Sequence, residues 1–98
     1  MTPLFPLGKV CITPGALTAI QEESGFQYPG LWIFQFLERH QSGDWGDVDD
    51  HDQKENQFSV DHNLRILSAY TLPTTKVKIW VITEADRSVT TLLLPSEY

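Results

Sequence analysis

The fold class of this chain follows from the stretch Leu64–Tyr98, which reads LRILSAYTLPTTKVKIWVITEADRSVTTLLLPSEY. Its β-branched, aromatic and aliphatic residues fall into three runs separated by short polar segments, a pattern typical of β-strands joined by turns. The predicted strands are Leu64–Thr71, Lys76–Glu84 and Ser88–Leu94. Because the connections are short, neighbouring strands should run antiparallel, and the stretch predicts a three-stranded meander.

The first turn, Leu72–Thr75, contains a proline, which lacks a backbone donor and suits a turn. Folding the chain at Pro73-Thr74 sets residues opposite each other on a mostly apolar face, which we expect helices to cover. The predicted pairs are Tyr70 with Val77, Ser68 with Ile79 and Ile66 with Val81. The opposite face carries Arg65, Lys78, Trp80, Glu84 and Thr91. On that face we expect Arg65 and Glu84 to be close neighbours.

The residues before this stretch predict one more strand and three helices. Thr13 followed by Pro14 is a typical helix start, Pro29 starts a second helix, and Asp49 or Asp50 caps a third. The predicted elements are a strand over Gly8–Thr13 at an edge of the sheet, helices over Gly15–Ser24 and Gly30–Gln41, a helix ending near Phe58, a connector over Phe26–Pro29 and a turn over Asp61–Asn63. This order predicts an α+β fold. We expect a single domain, residues 1–98, with the N-terminal strand and helices packed on the C-terminal three-stranded antiparallel meander.

Composition and length bound the class of protein. With 98 residues, 41% of them hydrophobic, the chain is typical of one globular domain. The single cysteine, Cys11, excludes an internal disulfide and favours a reducing compartment. The first residues lack the pattern of a secretory signal peptide, and no apolar run approaches the roughly 20 residues that cross a bilayer. We therefore expect a cytoplasmic protein without membrane contact.

Negative charge is concentrated in one segment. The net charge of the chain is −6, and residues 44–55 hold six acidic residues and one lysine, which leaves −1 for the rest. The acidic residues are Asp44, Asp47, Asp49, Asp50, Asp52 and Glu55. Because phosphate contacts supply much of the affinity for nucleic acid, an acidic chain could bind it only through a local basic cleft.

Several segments together resemble a family of small bacterial proteins from plasmids and other mobile elements, the plasmid-related proteins. The segments are HQSGDWGD from His40, Asn56, RILSAY from Arg65, WVITEADRS from Trp80, Thr90-Thr91 and Leu94-Pro95 through Glu97-Tyr98. The likeness covers roughly residues 5–20 and 38–98, whereas Glu22–Phe36 departs from the family pattern. The resemblance implies a mobile-element setting and a shared fold, and it implies no reaction.

A second resemblance, limited to short pieces, is to the layout of barnase-like ribonucleases. Those enzymes also place helices before an antiparallel sheet, and they use Glu, Arg and His on its open face. By that likeness Glu84 would accept a 2′-hydroxyl proton, Arg65 would stabilise the phosphorane, and His40 or His62 would protonate the leaving oxygen. The competing interpretation, which we favour, is an ordinary cross-strand ion pair between Arg65 and Glu84.

Other candidate residues have a structural and a functional interpretation. Asp86 is expected to bond backbone amides of its turn, and Arg87 either reaches a carboxylate such as Glu84 or borders a partner site. The acidic segment has the length of a calcium loop, but Gly46 and Asp49 occupy positions that such a loop does not allow, so we expect no metal and no cofactor. Trp45 is either a plug over the core or an exposed anchor.

These observations favour a noncatalytic interaction protein of a mobile element, which binds or inhibits a host or defence protein. We predict that its acidic surface contacts the partner through Asp44, Trp45, Asp47, Asp49, Asp50 and Arg87. The alternative is a metal-independent endoribonuclease or toxin that cleaves phosphodiesters with Glu84, Arg65 and His40 or His62. A homodimer is a further alternative, because Trp80, Ile82, Val89 and Leu93 make the Arg65 face apolar.

Overall fold

The computed structural model describes residues 2–25 and 28–98, and it confirms the α+β class. In chain order the elements are β1 (Lys9–Ile12), α1 (Pro14–Glu23), α2 (Pro29–Ser42), α3 (Asp50–His62), β2 (Ile66–Thr71), β3 (Lys78–Thr83), β4 (Val89–Leu93) and a final 3₁₀ turn (Pro95–Glu97). The predicted connector Phe26–Pro29 begins with residues 26–27, which lie outside the described residues.

The sheet has four strands in the order β1-β4-β3-β2. As predicted, β2, β3 and β4 are antiparallel neighbours. The predicted N-terminal strand is confirmed at an edge of the sheet, where β1 pairs with β4 in parallel and makes the sheet mixed rather than a purely antiparallel meander. This pairing joins the two ends of the sequence, and a local pattern of strands and turns does not specify it.

The register between β2 and β3 differs from the prediction by two residues. The observed partners are Tyr70 with Ile79, Ser68 with Val81 and Ile66 with Thr83. The cause is a longer turn: Leu72 donates to the carbonyl of Val77, and Lys76 takes a left-handed φ of 65° inside the loop. Because side chains alternate with a period of two, this shift leaves every residue on its predicted face.

Helices α1 and α2 cover one face of the sheet and close the main core. Thr13 caps α1 as predicted, because its side chain accepts a hydrogen bond from the amide of Ala16. The buried core combines helix and sheet residues: Ala16, Ala19, Ile20, Phe36, Tyr70, Leu72, Ile79, Val81 and Leu92. The Phe36 ring stacks on the Tyr70 ring with centroids 4.9 Å apart. We refer to the face of the sheet that α1 and α2 cover as the helix-covered face.

Helix α3 closes the free edge of β2. It continues to His62, so the predicted turn at Asp61–Asn63 is wrong, and Asn63 ends the helix with a left-handed φ of 54°. The Asn56 side chain donates to the carbonyl of Leu67 at 2.7 Å and accepts from its amide at 3.2 Å. One amide group thus replaces a missing neighbour strand at Leu67.

The other face of the sheet is partly covered by the C-terminus. Glu97 accepts hydrogen bonds from the Thr13 hydroxyl at 2.5 Å and from the Gly15 amide at 3.2 Å, which ties the last turn to the start of α1. Tyr98 then packs edge-on against Trp80, with ring centroids 5.8 Å apart. Two further residues that the sequence predicts as an apolar dimer face, Ile82 and Leu93, are buried.

Candidate functional site

His40 lies in the core, on the helix-covered face. Its Nδ1 atom is 2.5 Å from the Ser68 hydroxyl oxygen, and its Nε2 atom is 2.9 Å from Oγ1 of Thr83. The hydroxyl oxygens of Thr83 and Thr90 are 2.7 Å apart, and Thr90 donates to the carbonyl of Leu7. The result is a continuous buried chain of polar groups that joins α2, three strands and the N-terminal segment.

The environment of His40 keeps its imidazole neutral. Burial, with a smaller contribution from the positive charge of Arg87, lowers the His40 pKa from 6.5 to about 3. Both ring nitrogens have hydroxyl partners, and the residue has no exposed surface. The predicted role of His40 as a general acid is wrong, because a sealed side chain cannot reach the leaving group of a substrate.

The remaining residues of the ribonuclease interpretation lie elsewhere. Arg65 directly precedes β2 and Glu84 directly follows β3, next to the terminal ladder pair Ile66–Thr83, and both residues are exposed. Within residues 2–25 and 28–98 they form no ion pair within 4.0 Å, and the Arg65 guanidinium instead lies 5.3 Å from the Tyr98 ring centroid. His62 stacks on Phe58, and its Nδ1 atom lies 2.9 Å from that residue's carbonyl oxygen.

Arg87 is half-buried and connects its own turn to the end of α3. Its guanidinium donates to the carbonyl of Leu64 at 2.6 Å and to the carbonyl of Ser59 at 2.8 Å, near the end of α3. These bonds give Arg87 a structural role in holding its turn against the end of α3, and the predicted contact of Arg87 with a partner stays a prediction. Asp86 accepts from the amide and hydroxyl of Ser88, which confirms the turn-shaping role and lowers the Asp86 pKa.

Trp45 is a plug over the second, smaller core. It is only 6% exposed and packs with Phe5 and Ile66. Its backbone pairs with β2, because Trp45 accepts from the amide of Ala69, whose carbonyl accepts from Asp47. The interpretation of Trp45 as an exposed anchor is wrong. Among the described residues, its indole Nε1 is buried without a hydrogen-bond partner.

Two acidic residues in the segment that follows α2 are engaged within the chain. Asp44 forms an ion pair with Arg39 at 2.7 Å, and this hydrogen bond lowers the Asp44 pKa. The Asp47 carboxylate accepts from the Thr71 hydroxyl at 2.5 Å. Because both carboxylates already have partners, they contribute less to a free acidic surface than the sequence suggests.

The first turn of α3 holds exposed acidic groups. Asp49 caps the helix by accepting from the amide of Asp52, as predicted. Asp50 is exposed and borders a shallow hollow of about 260 Å³ together with Trp45 and residues 53, 54 and 57. Ligand atoms of Asp49, His51 and Asp52 lie within 4.8 Å of one another. Helix capping and solvation account for this exposed cluster, which supports no cation site by itself.

A groove that the sequence analysis did not identify lies between α2 and the N-terminal segment. It has a volume of about 360 Å³ and is lined by Pro3, Leu7, Phe34, Leu37, Glu38, Gln41 and Ser42. Phe34 is 63% exposed, and Leu31, one turn earlier on the same side of the helix, is 64% exposed. The signal in the sequence is that α2 is apolar around much of its circumference, which predicts a helix that is either deeply buried or covers a partner surface. The strands and α1 cover this circumference only in part.

The polar groups of this groove are mostly occupied. The Gln41 side-chain amide donates to the carbonyl of Phe5 at 2.9 Å, and the Ser42 hydroxyl donates to the carbonyl of Arg39 at 2.9 Å. Glu38 is exposed at the rim. The groove therefore presents apolar side chains and one carboxylate, rather than the convergent polar groups of a small-molecule site.

None of the helices in the described part of the chain combines the length and the apolar composition that a membrane crossing requires. Comparisons with family models, with curated proteins and with solved structures find no match to the chain. The resemblance to plasmid-related proteins and the likeness to ribonucleases consequently stay predictions.

Proposed function

We propose that this chain is a noncatalytic protein-binding module whose partner docks in the groove between α2 and the N-terminal segment. The observation that carries the proposal is the exposure of Leu31 and Phe34 beside a concave apolar surface. Exposed aromatic and aliphatic side chains around a pocket are the usual anchors of protein interfaces. Neither side chain belongs to the buried core or to the residues packed against it. Their apolar surface is therefore left in contact with solvent in the free protein.

The shape and polarity of the groove favour a partner protein over a metabolite. A small polar substrate would need free donors and acceptors, but Gln41 and Ser42 already bond backbone carbonyls. An apolar side chain of a partner would instead fill the space between Phe34 and Leu37. Glu38 at the rim adds a preference for a basic residue next to that anchor.

The acidic face of α3 has a second role, which is to attract the partner before it docks. Its exposed carboxylates are Asp49, Asp50, Asp52 and Glu55. Exposed charges add little affinity, but they raise the rate at which an oppositely charged partner arrives. We assign this face to electrostatic steering of a basic partner and the groove to affinity. With the mobile-element setting that the resemblance implies, the partner would be a host or defence protein.

The geometry favours this function over phosphodiester cleavage. The ribonuclease alternative needs a histidine that converges with Arg65 and Glu84 in one open cleft. His40 lies on the helix-covered face, sealed between Ser68 and Thr83. His40 is therefore separated from Arg65 and Glu84 by the sheet, and the Nδ1 atom of His62, the other candidate, lies 2.9 Å from the carbonyl oxygen of Phe58.

The test uses two phenylalanines that are both exposed but lie on different helices. Phe34→Glu places a charge in the groove, whereas Phe58→Glu places the same charge on α3, away from the groove lining. Proteins captured from host extract by the wild type should be lost with Phe34→Glu and retained with Phe58→Glu. Equal loss with both variants, or retention with both, would exclude the groove as the docking site.

A further inference from the structure

The two edges of the sheet differ in how they are protected. The β2 edge is closed by the Asn56 side chain at Leu67 and by backbone pairing at Ala69. In the described part of the chain, β1 pairs only with β4, so its other edge is open. An open edge with free backbone groups is a template for another strand.

The free groups on this edge belong to Val10 and Ile12. The amides of Lys9 and Thr13 donate to carbonyls of β4, at Ser88 and Leu92 respectively. Because backbone groups alternate along a strand, Val10 and Ile12 direct their N–H and C=O groups away from β4. Val10 is also 43% exposed, so solvent reaches this edge position.

We propose that two copies of this chain pair antiparallel through their β1 edges and form a continuous eight-stranded sheet. Antiparallel pairing of identical strands is the isologous arrangement of a two-fold dimer. When Val10 of one copy faces Ile12 of the other, the outward N–H and C=O groups of both residues form hydrogen bonds between the copies. In this register each Cys11 faces Cys11 of the second copy, at the centre of the dimer.

Charge complementarity supports a second copy as the occupant. In the same register Lys9 faces Thr13 of the second copy, and the Thr13 hydroxyl is bonded to the Glu97 carboxylate at 2.5 Å. Lys9 and Thr13 lie on the same side of β1, because side chains alternate along the strand. Two Lys9–Glu97 contacts would thus flank the central cysteines. Within the described residues, Lys9 has no carboxylate partner within 4.0 Å.

The distribution of acidic residues also selects this edge. Residues 44–55 carry most of the net charge of −6, and they lie beside β2 at the opposite end of the sheet. Joining two copies through β1 therefore keeps the two acidic segments apart, whereas pairing near β2 would bring them together. The strand is only four residues long, so the interface belongs to the small, weakly associating class.

Sedimentation equilibrium with a matched pair of variants tests the proposal. Val10→Pro removes the outward N–H but no bond to β4, whereas Val10→Thr keeps both the N–H and a β-branched side chain. The wild type and Val10→Thr should dimerise between about 10 µM and about 1 mM, with Val10→Pro about tenfold weaker or more. A monomeric wild type, or a dimer that Val10→Pro leaves intact, would overturn the proposal.

A second measurement on the wild type does not depend on the folding of a variant. In the proposed register the two Cys11 residues face each other at a spacing that a disulfide accepts. Mild oxidation with diamide should give a covalent dimer, and the yield should fall when salt weakens the Lys9–Glu97 contacts. Absence of cross-linking at concentrations where the protein sediments as a dimer would place the interface elsewhere and overturn the proposal.

Discussion

The Nε2 atom of His40 lies 2.9 Å from Oγ1 of Thr83, inside the core and on the face of the sheet opposite to Arg65. This contact makes His40 part of the fold and removes it from any open cleft. Because the surrounding groups are hydroxyls rather than carboxylates, nothing compensates a positive charge on the imidazole. The stability of the protein should therefore depend on pH through this residue.

We expect the free energy of unfolding to fall as the pH falls below 6.5, the unperturbed His40 pKa. The unfolded chain takes up a proton there, whereas the folded chain does not until about pH 3. From pH 7 to pH 5 this linkage costs about 2 kcal/mol, which urea unfolding at several pH values measures.

His40→Gln is the control for this pH dependence. It keeps a polar side chain in the core but removes the titrating group, while His51 and His62 remain. The variant should be less stable at pH 7 and should lose almost nothing more by pH 5. The range above pH 5 avoids most carboxylate titration. An unchanged slope in the variant would show that His40 is not the source.

Gly46 should not tolerate a side chain. It has a left-handed φ of 73°, and a Cβ at this position would overlap the carbonyl oxygen of Ala69 and the ring of Tyr70. Gly46→Ala should lower the free energy of unfolding by about 3 kcal/mol or more. Gly30→Ala is the control, because a Cβ there meets nothing within 4 Å and should be neutral or stabilising by up to about 1 kcal/mol. Thermal melts of both variants compare the two costs directly.

Asn56 should be essential for the edge of β2. Asn56→Leu leaves the amide and the carbonyl of Leu67 without their partner, and we expect a loss of about 2 kcal/mol or more in urea unfolding. The neighbouring Gln57 is exposed, so Gln57→Leu should change stability by no more than about 0.5 kcal/mol. Similar losses in the two variants would mean that the bonds to Leu67 contribute little.

Local signals in the sequence predict much of the fold. Thr13-Pro14 starts α1, Pro29 starts α2, and Gly43 ends α2 with a left-handed φ of 90°. Such signals act within a few residues, so a single sequence reveals them. The parallel pairing of β1 with β4 depends on contacts between distant segments. The register of β2 against β3 depends on the left-handed φ of Lys76, and a lysine in the sequence does not predict that conformation.

The candidate site was harder to predict than the fold. A histidine in the last turn of a helix gives no sign that it will be sealed against two strands, as His40 is. A tryptophan between glycines leaves open whether the ring plugs the core or stays exposed, and strand pairing at Ala69 turns Trp45 inward. The apolar residues of α2 predict a helix that is either deeply buried or covers a partner surface, and only the packed structure shows that Leu31 and Phe34 stay outside.

The docking role of the groove can be tested most directly by site-specific photo-crosslinking in host cells. A photoreactive phenylalanine analogue replaces Phe34 in one variant and Phe58 in the other, since both side chains are exposed. We predict a discrete adduct with one partner protein at position 34 and none at position 58. No adduct at position 34, or the same adducts at both positions, would contradict the proposal that this chain acts by binding a protein in the α2 groove.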